Sequence, residues 1–248
     1  MKTKTVLIIG ATSGIARELA KEFARRKYAL ILAARDGEEL ETIAADLGVR
    51  YGAKISLQSF DALNYRTHAA FWKRCLADCD NDLHGVVVCF GALAPQEEAE
   101  RDWAVSRAMI DANYTSCVSI LNLAANYYEE RKRGFIAALS SVAGDRGRTG
   151  NYIYGSTKSG LNVYLQGVRQ RLAKSNVSVT TVKPGPVDTG MTWGMDKLPL
   201  LAPPEKIAAD TFRAIRRRAD VVYTPAPWLI VMAILRIIPE RIWKKISL

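Results

Sequence analysis

Short apolar runs recur along the chain, separated by segments of helical periodicity. Thr5–Ile9 (TVLII), Ala29–Ala34 (ALILAA), residues 85–90 (GVVVCF) and Phe135–Leu139 are almost free of polar side chains, and residues 177–182 (VSVTTV) are rich in β-branched ones. Such runs are the mark of strands buried on both faces. Residues 54–60 alternate apolar and polar and predict a further strand, and Val221–Thr224 predicts the last. Between them, apolar positions such as Leu19, Ala20, Phe23 and Ala24 follow a helical period. Helices are likewise predicted over residues 64–76, 102–131, 150–174 and 204–218. Strands alternating with helices predict an α/β fold: one doubly wound domain over residues 1–225, with a parallel sheet covered on both faces. No internal repeat or polar linker divides it.

The first strand runs into Gly10-x-x-x-Gly14-x-Ala16, and a helical pattern follows at once. Strand, glycine turn and helix are the context of a Rossmann-type dinucleotide site. Gly10 permits the tight turn and Gly14 lets backbone approach a pyrophosphate at a helix N-terminus, with Thr12, Ser13 and Ile15 in the same turn. The second strand ends in Ala34-Arg35-Asp36. No acid stands at the strand tip to bind a ribose 2′-hydroxyl, whereas Arg35 suits a 2′-phosphate, so NADP(H) is expected over NAD(H). Asp36 is the competing residue, but it reads as the cap of the next helix, with Glu39 three residues on completing a capping box.

Candidate chemistry lies in residues 139–160 (LSSVAGDRGRTGNYIYGSTKSG). Tyr154 and Lys158 are four apart and share a helix face. An ammonium beside a phenol favours the phenolate, which suits the pair to proton transfer. Ser141, at the end of the preceding strand, is placed to hold a substrate oxygen beside that phenol. Ser140, one residue earlier on a strand, is expected to face the other way. Taken alone, Tyr-x-x-x-Lys is far more often the pattern of a solvated amphipathic helix; the rest of the chain turns the reading towards chemistry.

The composition adds less. With 49% hydrophobic residues, 248 residues are ample for a core. The opening MKTKTVLIIG enters a strand directly, and a cytoplasmic protein is expected. Cys75, Cys79, Cys89 and Cys117 have no histidines near enough to complete a metal set, since His68 and His84 are isolated. Free thiols and no metal are therefore expected. The net charge of +10 is concentrated in residues 213–248, with eight Lys/Arg against two Asp/Glu. Within this tail, residues 228–235 are wholly apolar, and Arg236 and Pro239 end the run well short of the roughly twenty residues that span a bilayer. Two short amphipathic helices in residues 226–248, with Arg236, Arg241, Lys244, Lys245 and interfacial Trp228 and Trp243, suit contact with the inner membrane face. The alternatives are an arm packed on the fold and a subunit interface. Nucleic acid is not expected, since Arg216–Arg218 lack interleaved aromatics. Residues 190–204 (GMTWGMDKLPLLAPP) are unusually apolar for a loop and suit a substrate lid.

Over essentially its whole length the sequence resembles the short-chain dehydrogenase/reductase family. The resemblance rests on Gly10-x-x-x-Gly14-x-Ala16, Asp61, Asn113, Ser141, Tyr154-x-x-x-Lys158 and Pro184-Gly185-Pro186-Val187-x-Thr189, in order and spacing. It implies that Tyr154 is the general acid/base, that Ser141 orients the carbonyl, and that Lys158 assists the tyrosine and binds the nicotinamide ribose. It implies further that Asn113 locally interrupts its helix and holds a water relaying protons with Lys158. Asp61 would contact adenine and Thr189 the carboxamide, with Pro184, Gly185 and Val187 beside the cofactor. Where many members have Asn-Asn-Ala-Gly, this chain has Cys89-Phe90-Gly91-Ala92, a change that bears on local bracing rather than chemistry. The string FGAL with nearby Gln96 more loosely resembles the polyprenyl-phosphoryl 2-keto-ribose reductases. The function implied is hydride transfer between NADP(H) and a carbonyl or secondary alcohol, a lipid-linked keto-sugar among the candidates, by a homodimer or homotetramer. The alternatives are a reductase of a soluble ketone, steroid or fatty-acyl carbonyl, and a non-catalytic NADP-binding sensor or scaffold.

Overall fold

The computed structural model describes residues 3–194 and 198–246. Seven parallel strands form one sheet: β1 (Thr5–Ile9), β2 (Ala29–Ala34), β3 (Ile55–Ser59), β4 (Leu83–Val88), β5 (Phe135–Leu139), β6 (Ser178–Pro184) and β7 (Val221–Thr224). Their order is β3-β2-β1-β4-β5-β6-β7. The chain works outward from β1 to one edge, then from β4 to the other, so the crevice beyond the carboxyl ends of β1 and β4 is where such sheets bind ligands.

Strand alternation divides the core. Leu7 and Ile9 of β1 face one apolar layer, built with Phe71, Trp72, Ile120, Leu121, Leu161 and Leu165. Val6 and Ile8 face the other, built with Leu19, Phe23, Leu40, Leu47 and Phe212. The helices α3 (Tyr65–Ala77), α6 (Ser116–Arg131) and α7 (Tyr152–Leu172) thus cover one face, and α1 (Gly14–Arg25), α2 (Gly37–Tyr51) and α8 (Pro204–Arg216) the other. All four cysteines are buried free thiols, and burial pushes Cys89 up to about 12 and Cys117 up to about 11.

Two expectations change. The helix expected from residue 102 to 131 is divided into α5 (Trp103–Ile110), a π-helical turn at Asp111–Thr115 and α6, preceded by the short α4 (Gln96–Arg101); the π turn is the interruption at Asn113 that the resemblance implies. Asp102 separates the first pair: its side chain accepts from the N–H of Ala104 at 2.8 Å and starts α5. The tail is the second correction. Trp228 and Trp243, expected at a membrane interface, are 3% and 8% exposed and pack on the protein's own fold. Trp228, on α9 (Pro227–Ile237), joins Met232 and Val142 in a small apolar cluster. Trp243, on α10 (Glu240–Trp243), donates to the carbonyl of Gly147 at 2.8 Å. The opposite side of α9 leaves Leu229, Ile230, Ile234 and Ile237 exposed. Among the described residues, no helix is long and apolar enough to cross a membrane.

Candidate active site

The turn between β1 and α1 is held from two sides. Gly10 has φ +83°, and a Cβ there would lie 2.7 Å from the backbone nitrogen of Phe90, so both conformation and close approach demand glycine. The amides of Gly10 and Ala11 both reach the carbonyl of Ala33, at 2.8 and 3.1 Å. Ser13 caps α1 by accepting from Ala16 at 3.4 Å, and Thr12 offers its carbonyl to Arg17. The backbone N–H groups of Gly14 and Ile15 find no acceptor among the described residues. Free donors at the positive end of a twelve-residue helix fit a pyrophosphate, so this turn fits a dinucleotide. Thr189 stands against Gly14, its methyl carbon 3.2 Å from where a Cβ would be.

Arg35 is exposed beyond β2 and forms no ion pair with any described residue. Asp36 is occupied as the cap of α2, accepting from the N–H of Glu39 at 3.0 Å. Glu39's carboxylate pairs with Arg17, which ties α2 to α1. Asp61 lies exposed past β3. Its carboxylate accepts from Leu63 at 3.0 Å, and its carbonyl lies 3.2 Å from Nε2 of His68.

Ser141, Tyr154, Lys158 and the cofactor turn meet at one cleft of about 260 Å³. After β5 the chain makes a tight 3₁₀ turn at Val142–Gly144 that presses on α7. A Cβ on Gly144 would lie 2.6 Å from the backbone of Lys158, so glycine lets turn and helix touch. Ser141 Oγ accepts from the N–H of Ala143 at 3.1 Å, which leaves its own O–H free to point at a ligand. Ser140 is turned away from that role, donating to the carbonyl of Lys158 at 3.3 Å. Lys158 is buried; its ammonium donates to the carbonyl of Leu139 at 3.2 Å and lies 5.7 Å from the centre of the Tyr154 ring.

Asn113 sits wholly buried in the π-helical turn and clamps Ala92 with both ends of its amide. Oδ1 accepts from the Ala92 N–H at 2.7 Å and Nδ2 donates to its carbonyl at 2.8 Å. The extra residue of a π turn aims this side chain, a use such turns often have at functional sites. A Cβ placed on Gly91 would be 3.0 Å from Asn113 Oδ1 and 3.3 Å from the Lys158 ammonium, so the two groups converge there.

The remaining walls are mostly apolar: Leu93, Leu139, Val142, Pro184, Gly185, Val187, Met191, Leu198 and Pro199, with Ile15 and Thr189 on the cofactor side. Residues 190–204 thus give Met191, Thr192, Leu198 and Pro199 to the cleft, while Trp193 is exposed. Met195, Asp196 and Lys197 of this stretch lie outside the described residues. Two features escape sequence reading. Trp228 of the tail lines the same cleft. Asp145 is buried under it, pairing with Lys183 at 2.5 Å and accepting from the Tyr223 hydroxyl at 2.5 Å. Burial and this carboxylate push Tyr223 up to about 12. These partners lie 38 and 78 residues from Asp145, beyond any local spacing signal. Among the described residues, no group of three or more His, Cys, Asp or Glu could hold a metal ion.

The short chain dehydrogenase family model matches residues 4–198. An uncharacterized oxidoreductase of Mycobacterium tuberculosis is 33% identical over 240 residues, 97% of this chain and 96% of its own. Serine 3-dehydrogenase of Agrobacterium fabrum is 30% identical over 189 residues, 76% of this chain and 74% of its own. Among solved structures, a short-chain dehydrogenase from Sphingobium yanoikuyae in complex with NADPH superposes with a TM-score of 0.79 at 25% identity, covering 96% of this chain and 97% of its own. Actinorhodin polyketide ketoreductase with NADPH shares the fold, with a TM-score of 0.82 at 19% identity over 91% of this chain and 97% of its own. The chain belongs to the short-chain dehydrogenase/reductase family and is an NAD(P)-dependent oxidoreductase. These matches support the family and not the polyprenyl-phosphoryl 2-keto-ribose subgroup.

Proposed function

We propose that this protein uses NADP(H) to interconvert a ketone or aldehyde and its alcohol, on a substrate with a long apolar portion. The carrying observation is the convergence of Ser141, Tyr154, Lys158 and Asn113 beside a glycine turn with unclaimed backbone donors. When bound, the nicotinamide supplies or accepts the hydride. In the reducing direction Ser141 donates a hydrogen bond to the carbonyl oxygen and Tyr154 gives that oxygen its proton. The Lys158 ammonium lies 5.7 Å from the centre of the Tyr154 ring, and the buried amide of Asn113 clamps Ala92 beside it. The test of this reading is whether turnover depends on the Tyr154 hydroxyl.

Arg35 supports the choice of NADP(H), because it is exposed at the tip of β2 while the competing Asp36 is committed to capping. NADPH is expected to bind more tightly than NADH, and Arg35→Ala to remove most of the gap. A charge-assisted contact to a phosphate contributes about 1.5–3 kcal/mol, which is about 10- to 100-fold in affinity. Titration of both cofactors into wild type and variant decides it; equal affinities in the wild type would refute the assignment.

The apolar walls suit a hydrocarbon-bearing carbonyl compound, a lipid-linked keto-sugar among them. The outer side of α9 supports meeting it at a membrane surface, because Ile230, Ile234 and Ile237 are exposed beside Arg236, Arg241, Lys244 and Lys245. An apolar strip joined to cations binds anionic bilayers. The protein is expected to float with phosphatidylglycerol vesicles and not with phosphatidylcholine vesicles, and Ile230→Glu with Ile234→Glu to abolish flotation. Failure of the wild type to float assigns the strip elsewhere and favours a soluble carbonyl substrate. Exposed Trp103 on α5 and Val163 on α7 support a homodimer or homotetramer joined through those helices.

A further inference from the structure

The cleft has two cationic side chains and no carboxylate among its described lining residues. Lys158 is committed to the carbonyl of Leu139 and the Tyr154 ring. The other cation is Arg148, on the loop between the 3₁₀ turn and α7, and no role described above uses it.

Its neighbours on that loop show what a satisfied charge looks like here. Asp145 is paired with Lys183 and Tyr223. Arg146 pairs with Glu240 at 2.7 Å, donates to the carbonyl of Ile238 at 3.1 Å and lies over the Trp243 ring at 4.9 Å. Arg148, by contrast, makes no side-chain hydrogen bond or ion pair with any described residue, although it is half-buried. Burial pushes its guanidinium below the usual arginine range, with no acid acting in the other direction. On the same wall, the amide oxygen of Asn151 is buried without a donor.

Much of the surrounding lining is apolar, and none of the described lining residues is an acid. Val142, Met191, Leu198 and Trp228 close the wall, and the indole of Trp228 lies so tightly over Gly185 that a Cβ there would be 1.9 Å from Nε1. Taking a cation out of water without a partner is costly, and long basic side chains ordinarily snorkel to solvent or find a carboxylate. A guanidinium left unpaired in an apolar cleft is matched by what enters the cleft. Its planar fork suits the two oxygens of a carboxylate or phosphate.

We infer that the substrate carries an anionic group, a carboxylate or a phosphate, joined to an apolar body, and that Arg148 is the residue selecting for it. This deepens the carbonyl-reductase reading and rests on it for the word substrate, but its test measures binding without turnover. Octanoate, octyl phosphate and octan-1-ol are titrated calorimetrically into protein saturated with NADP⁺. At least one of the two anions is expected to bind about 10- to 100-fold more tightly than the alcohol, the range of a charge-assisted pair. The better of the two identifies carboxylate or phosphate as the group recognised. Arg148→Gln is expected to erase that preference while leaving NADP⁺ affinity and melting temperature unchanged, and Arg148→Lys to keep part of it. Equal binding of alcohol and anions by the wild type, or an anion preference that survives Arg148→Gln, overturns the inference. An inactive enzyme with intact anion preference would count against the reductase reading alone.

Discussion

Replacing Tyr154 by phenylalanine is expected to lower kcat by about 10²- to 10⁴-fold, the usual contribution of a positioned general acid or base. The ring stays, so its place beside the Lys158 ammonium stays with it. Only the proton that must reach the substrate oxygen is lost. NADPH affinity is therefore expected to hold within about three-fold, so the loss falls on kcat rather than on cofactor binding. Steady-state kinetics with any carbonyl substrate the enzyme accepts, paired with a cofactor titration, separates the two quantities. A variant that keeps near-wild-type kcat removes Tyr154 from the mechanism. A variant that loses NADPH binding in parallel makes the residue structural.

The second large effect is on stability and comes from a residue that touches no ligand. Asp145 and Lys183 are almost fully buried, with side chains only 4% and 8% exposed. Truncating Asp145 to alanine leaves the Lys183 ammonium and the Tyr223 hydroxyl without their shared acceptor. Breaking a buried pair in this way costs about 3–5 kcal/mol. For a chain of this size that is a fall in Tm of about 10 °C. Changing both partners, Asp145→Leu with Lys183→Met, should recover much of the loss, because no uncompensated charge then remains. Thermal unfolding of the two single variants and the double variant closes the cycle. If Asp145→Ala melts within about 2 °C of the wild type, well inside the effect of an ordinary surface change, the pair does not brace this loop.

This buried pair also explains how the cleft keeps its shape. Asp145 ties the loop after β5 to β6 through Lys183 and to β7 through Tyr223, while Arg146 and Trp243 fasten the same loop to the tail. Ser141 and Arg148 lie on either side of these anchors. Part of the cleft wall is therefore built from three distant stretches: the loop at 141–151, Met191 and Thr192 with Leu198 and Pro199, and α9. Deleting the tail would remove Trp228 from that wall, so point changes on its outer face are the cleaner probe of what the face contacts.

Much of this was legible in the linear sequence. Apolar runs of strand length alternating with helical periods specify a doubly wound sheet, because each strand must be covered on both faces. Tyr154 and Lys158 share a helix face at any i,i+4 spacing. The glycine turn after β1 follows from the φ that Gly10 alone adopts without strain. Asp36 capping α2 is equally local, three residues from the N–H it accepts. What only the tertiary structure decided are the features that depend on where distant segments meet. The resemblance implies an interruption at Asn113, but only the fold supplies the partner its amide clamps, Ala92, twenty-one residues away. Trp228 and Trp243 carry the composition of a membrane contact, yet they face the protein, because apolar burial has no direction and an amphipathic helix seals whichever apolar surface reaches it first. Arg148 reads in the sequence as one more exposed cation among the thirty-five basic residues. Only the fold places it within an apolar wall, with its neighbours paired and itself alone among the described residues.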